Sequence, residues 1–228
     1  MHPLDNIIWK ALTTRHASFS EGSGQARRFV REVSPLTAMQ EPSTEGFASL
    51  AELVGAGGAA YLFLDEIPAA REGWTIGATS PLVQMVCENG NGAGIAKESN
   101  LQICELGKSD SADMLELTAL TKPGPFNSRT HELGTYLGIR SQGRLVSMAG
   151  ERLKVPGYTE VSAVCTHPEH LGKGYAALLM TEVMQAIRRR GELPFLHVRQ
   201  INTRAIGLYE RLGFRLRRLL HYVQLKRS

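Results

Sequence analysis

The sequence predicts an α/β protein in which helices and strands alternate along 228 residues. Three observations carry this. A β-rich run, Glu160 to Thr166, stops at His167-Pro168, because proline removes a ladder donor and restricts the residue before it. A glycine-containing turn, Leu171 to Ala176, leads straight into Tyr175 to Arg190, where Leu178, Leu179, Val183, Ala186 and Ile187 recur at helical spacing. A strand-like run at Leu196 to Arg199, a helix at Thr203 to Leu212 and a last strand at Phe214 to Gln224 complete the alternation. With 43% hydrophobic residues, the chain can bury a substantial core as one large or two small domains.

From the N-terminus, Pro3 to Phe19 reads as a helix with Leu4, Ile7, Ile8, Ala11 and Leu12 on one face, and Ser20 to Gln25 as a loop. Strands are predicted at Phe29 to Val33 and Ala59 to Leu64, with a short helix at Gly46 to Val54 between them, and further strands at Trp74 to Ile76 and Leu82 to Cys87. Gly55-Ala56-Gly57-Gly58 precedes a strand instead of opening a helix, so it reads as a turn and not as a phosphate loop. Gly90-Asn91-Gly92-Ala93-Gly94 reads as a flexible connector. The expected organisation is therefore an N-terminal α/β lobe over 1–94 and a second lobe over 95–228.

The second lobe opens with a strand at Leu101 to Leu106, then a helix capped by Ser109 or Asp110 and running through Leu120 to the breaker Lys122-Pro123-Gly124-Pro125. Phe126 to Leu133 reads as a loop. Tyr136 to Arg140 and Leu145 to Ala149 form a hairpin around Ser141-Gln142-Gly143, and Thr159 to Thr166 supplies the next strand.

Composition removes several function classes. The longest apolar stretches, such as Ala59 to Leu64 and Ala176 to Met180, fall far short of the ~20 residues that a spanning helix needs. The N-terminus carries Asp5 and lacks a basic-apolar-small signal pattern, so a cytoplasmic location is expected. Cys87, Cys104 and Cys165 are odd in number and widely spaced, which predicts reduced thiols. The net charge of +4 is concentrated in Arg188 to Arg190 and toward the C-terminus, without the interleaved aromatics of a single-strand binder, so no nucleic-acid partner is expected. His167 and His170 lie on a proline-broken loop with no third ligand in view, so no metal is expected.

Chemistry is concentrated between Val161 and Phe214. The two glycines of Leu171-Gly172-Lys173-Gly174-Tyr175-Ala176 let the backbone turn and approach a ligand where a helix begins. Free amides, the positive end of the helix dipole and the Lys173 side chain together suit a pyrophosphate. Downstream comes Asn202-Thr203-Arg204-Ala205-Ile206-Gly207-Leu208-Tyr209-Glu210-Arg211-Leu212-Gly213-Phe214.

From about Leu101 to the C-terminus these residues resemble the GNAT superfamily of acyltransferases, and most closely its bacterial branch similar to glycine N-acyltransferases. Gly174 and Ala176 match the last two places of that family's nucleotide loop. Leu171 stands where the family usually has Arg or Gln, which removes one side chain near the pyrophosphate but leaves the backbone cradle. The resemblance implies acetyl-CoA as cosubstrate and a mixed, splayed central sheet flanked by helices. The N-terminal lobe is then a candidate degenerate half-repeat of that fold. It further implies that the pantetheine arm pairs with an exposed strand edge, with backbone amides at Val164, Cys165 and Thr166 polarising the thioester carbonyl. A donor aimed at a developing oxyanion is worth ~3 kcal/mol. Cys165 itself has no activating base nearby and is not expected to be a nucleophile.

An acceptor amine must shed a proton before attack. Glu160 lies eleven residues before Leu171, the separation found in histone-acetylating members of the superfamily, and is the candidate base. Tyr209, seven residues after Asn202 and on the same helical face, is the candidate acid for the departing thiolate, and Asn202 is placed to bond the pantetheine or anchor its helix. Phe126, Arg129, His131 and Glu132 are weaker candidates for acceptor contact. The expected function is N-acyl transfer, by direct attack in a ternary complex, to a small amine or amino acid. A protein N-acetyltransferase and a non-catalytic coenzyme A sensor are the alternatives, and a homodimer is possible.

Overall fold

The computed structural model describes residues 2–88 and 102–228. The expected connector at 90–94, and with it the boundary between 1–94 and 95–228, lies outside the described residues.

The N-terminal segment begins with α1 (Ile7–Thr13), which buries Ile7, Ile8, Ala11 and Leu12. This is shorter than the helix predicted from Pro3 to Phe19, since the chain leaves helical geometry at Thr14 and makes only a 3₁₀ turn at Ala17–Phe19. Strands β1 (Ser20–Glu21), β2 (Ala26–Phe29) and β3 (Thr37–Met39) form a small antiparallel sheet. Helix α2 (Thr44–Val54) follows, capped by the Ser43 hydroxyl accepting from the Gly46 amide.

The main sheet has eight strands: β4 (Ala59–Leu64), β5 (Trp74–Val86), β6 (Ile103–Leu106), β7 (Tyr136–Ser141), β8 (Arg144–Val155), β9 (Tyr158–Thr166), β10 (Leu193–Arg199) and β11 (Arg215–Arg227). Their order across the sheet is β4-β11-β5-β10-β9-β8-β7-β6, and only β9 and β10 run parallel. Strand β5 thus lies between β10 and β11, so residues from both sides of the undescribed segment share one sheet. The two short strands predicted at 74–76 and 82–87 are one strand. Pro81 lies within it, where pairing with β10 ends at Leu82, and its carbonyl accepts from the Gln200 amide.

Helices cover both faces. The cluster around α1 takes Leu153, Val155 and Phe195 from one face. Helix α4 (Tyr175–Arg189) and the apolar side of α5 (Thr203–Arg211) pack with Leu196 and Val198, which alternation turns to the other face. Helix α3 (Ser111–Thr121) covers the β6–β7–β8 end. This is the mixed, helix-flanked central sheet that the resemblance implies. No helix among the described residues is long and apolar enough to cross a membrane.

Candidate active site

The site begins where β9 and β10 part. Their parallel pairing covers Tyr158, Thr159 and Glu160 and then stops, so the edge of β9 from Val161 to Thr166 has no strand beside it. There β9 also changes register against β8, between Ser162 opposite Gly150 and Cys165 opposite Met148, with Ala163 at φ +52°. This is a β-bulge, a device that re-aims backbone groups and halts pairing. Orphan amides on an open strand edge can bind an extended ligand by main-chain hydrogen bonds.

After β9 the chain turns through Pro168–His170 into the glycine loop, where Gly172 has φ +81° and Gly174, the residue before α4, has φ +76°. Both need the left-handed region that glycine enters without strain. No side chain caps the start of α4, so its first amides remain available, as an anion site requires.

Beside the splayed strands is a cavity of about 1450 Å³. It brings together Val164, Cys165, Thr166, Leu171, Gly172, Gly174, Tyr175, Ala176, Asn202 and Tyr209, ten of the residues singled out by sequence. Lys173 is not on the wall; its Nζ lies 3.3 Å from His170 Nδ1. Asn202 caps α5, its Oδ1 accepting from the Ala205 amide at 3.2 Å, which is the anchoring role weighed for it. Tyr209 is buried, and burial pushes its hydroxyl up to about 12, so it holds its proton at neutral pH. Burial likewise pushes the Cys165 thiol up to about 11, which leaves it a poor nucleophile.

Glu160 does not fit the proton-accepting role expected for it. It is fully buried and off the cavity wall, and its carboxylate accepts from Arg152 Nε and Nη2 at 2.8 Å each, from the Leu153 amide at 3.2 Å and from His197 Nδ1 at 2.7 Å. Burial alone would raise its pKa, but Arg152 and His197 outweigh that and hold it far below the carboxylate range. A carboxylate so stabilised is a weak base. The loop 126–133 departs from expectation too. Phe126 packs edge-on against Tyr136, Arg129 pairs with Glu132, and Thr130 bonds the Val33 carbonyl, so this segment stitches the chain to 31–33. It is Thr121 to Pro125, just before it, that lines the cavity.

Sequence reasoning missed the far wall, made by Leu36, Phe63, Leu82, Arg152, His197 and Tyr222. One signal was available. Counting register outward from the hairpin turn at Pro156-Gly157 sets Lys154 opposite Thr159 but would then set Leu153 opposite Glu160; the irregularity between Glu151 and Lys154 is what brings Arg152 to Glu160, so the count only points to this stretch of β8. Among the described residues, the wall carries five cationic side chains, Lys122, Arg152, Arg199, Arg204 and Arg211, and no carboxylate.

Residues 136–223 match the family model described as FR47-like protein. The whole chain is similar to a GNAT-family protein of known structure from Novosphingobium aromaticivorans DSM 12444, with 36% identity, 100% of each chain covered and a TM-score of 0.90. The fold alone is shared with a GCN5-related N-acetyltransferase from Kribbella flavida, at 18% identity, 100% and 96% coverage and a TM-score of 0.69. The N-alpha-acetyltransferase RimI of Mycobacterium tuberculosis (strain ATCC 25618 / H37Rv) is 37% identical over 82 residues, 35% of this chain and 51% of that protein. The match thus spans about half the length of that curated relative. A central mixed sheet flanked by helices is the fold of the GNAT acetyltransferases among these relatives. The chain belongs to the GNAT superfamily of N-acetyltransferases.

Proposed function

We propose that this chain transfers an acetyl group from acetyl-CoA to a primary amine of a small molecule or amino acid, by direct attack in a ternary complex. One observation carries the reading: the open, bulged edge of β9, the glycine turn before α4 and the buried Tyr209 line a single cavity. The first amides of α4 receive the pyrophosphate, and the open edge of β9 receives the pantetheine arm. Amides near Val164 face the thioester oxygen as it gains charge.

The ammonium of the acceptor loses one proton to water in the cavity, and the neutral nitrogen attacks the thioester carbon. The carbon–sulfur bond breaks with its electron pair on sulfur. Tyr209 gives its proton to that thiolate, and the second proton lost by nitrogen restores the phenol by way of solvent. Amide, free coenzyme A and one released proton balance the reaction. Glu160 acts here by fixing Arg152 and His197 at the cavity wall rather than by taking the proton.

Calorimetric titration with acetyl-CoA, followed by thiol release over a panel of amines, tests the proposal. Saturable binding and acceptor-dependent release are expected, whereas binding without release from any acceptor returns the reading to a coenzyme A sensor. The likeness to an N-alpha-acetyltransferase favours a second reading, a protein or peptide N-terminus as acceptor. Short peptides belong in the same panel, and their preference over every small amine would establish it.

A further inference from the structure

Arg152 holds a guanidinium in the cavity wall with only half of its hydrogen-bonding edge in use. The residue keeps 7% exposure, yet it lines the cavity. Its side edge, Nε and Nη2, is bound by the two oxygens of Glu160. Its end edge, Nη1 with the second proton of Nη2, is engaged by no described residue. A guanidinium offers five donors in a fixed fork, and each edge matches a carboxylate.

Glu160 and its partners make Arg152 rigid. The carboxylate is locked on its other side by His197, which in turn meets the Gln84 amide at 3.0 Å, and Gln84 is bonded to Arg217. Glu160 offsets the charge of Arg152, so a second anion at the end edge needs another cation. Arg199, two residues after His197 on the same side of β10, supplies one at the same cavity wall. No carboxylate among the described lining residues opposes an anion there or attracts a polycation.

From this we infer that the acceptor carries a carboxylate close to its amine, and that the end edge of Arg152, with Arg199, binds it. Leu36, Phe63 and Leu82 are left for the apolar remainder of the acceptor. This rests on the acetyl-transfer reading and narrows it to amino acids and related amino acid-like acceptors. It assigns Arg152 to specificity, beyond neutralising Glu160.

The test compares amino acids with apolar side chains against their carboxamides and their decarboxylated amines, by thiol release at fixed acetyl-CoA. The acids should have kcat/KM higher by on the order of 10- to 100-fold, the range for a hydrogen bond to a charged group. Arg152→Gln alone leaves Glu160 buried without its partner and is prone to unfold, so Arg152→Gln/Glu160→Gln and the exposed Arg199→Gln are used, each checked for unchanged melting and acetyl-CoA affinity. Both should lose most of the preference for acids, chiefly through KM. Equal turnover of acids and amides, or a preference that survives in both folded variants, overturns the inference and leaves acetyl transfer standing. If no acceptor releases thiol, the acetyl-transfer reading fails, and titration with N-acetylated amino acids decides the anion site by itself. Saturable binding that is lost in the double variant upholds the site, and no binding overturns it.

Discussion

Tyr209 shows how burial selects a role. Its phenol sits where desolvation disfavours the phenolate and pushes the pKa up to about 12, so across the neutral range it is a hydrogen-bond donor and never a base. Tyr209→Phe removes the donor but keeps the ring and its edge contact with Phe214. Turnover should fall by about 100-fold, the lower range for general acid–base catalysis, while calorimetry gives an unchanged acetyl-CoA Kd. His16 illustrates the opposite sign of burial. Its Nε2 lies 2.8 Å from the Arg152 carbonyl, and burial, outweighing that carbonyl, pulls the ring down to about 4. The unfolded chain therefore takes up a proton that the folded chain refuses, so the stability is whole above pH 6.5 and is lost as pH falls toward 4. The interval is worth about 3 kcal/mol. Urea midpoints measured from pH 7.5 to 4 should show that slope, and His16→Gln should flatten it. Glu160 adds a separate loss in stronger acid, because the stability from its depressed pKa is whole above its ordinary value of 4.5 and is lost progressively as pH falls below it.

Elements differ in how plainly the sequence declares them. The cradle is local: glycines at 172 and 174, an apolar period from Tyr175 and a proline-ended strand before them are all visible in one stretch of chain, and the structure has the strand, turn and helix in that order. The same holds for the hairpin between β7 and β8, where Gln142 at φ +50° and Gly143 at φ +81° make the tight turn. The far wall was not legible, because Phe63, Leu82, His197 and Tyr222 meet only through pairings across 113 or more residues, such as Gln84 with His197. The misreading of Glu160 has the same origin. A spacing from Leu171 can suggest a base, but only the register of β8 against β9 reveals that Arg152 occupies it. Gly174 provides the element-scale prediction. Its left-handed φ makes Gly174→Ala cost about 1 kcal/mol, read as a fall in Tm of about 2–4 °C for a chain of this size. A methyl at this position meets no protein atom within 4 Å. A loss of acetyl-CoA affinity beyond the fall in stability would therefore report close approach of the ligand itself.

For the whole molecule, the controlling fact is that β5 is threaded between β10 and β11. Its register runs from Leu82 to Val86 against β10 and from Trp74 to Val86 against β11. Residues 102–228 carry the glycine cradle, the bulge and Tyr209, yet without β5 they contain two strands, β10 and β11, with no strand to join them. Val83 and Met85 would also be missing from the cluster that packs α4. Unpaired strand edges and lost core side chains each work against a stable fold. The wall bearing Phe63 and Leu82 would vanish with them. Although the nucleotide motifs all lie on one side of the undescribed segment, the two sides should therefore not behave as separable domains. A fragment of residues 102–228 is expected to lack a cooperative thermal transition and to bind no acetyl-CoA. Co-expression with residues 1–101 should restore both, since β5 needs only to reach its place between two edges that are already complementary to it. If the fragment alone melts cooperatively and binds the cofactor, then β10 and β11 can close on each other, and the N-terminal segment serves the acceptor wall only.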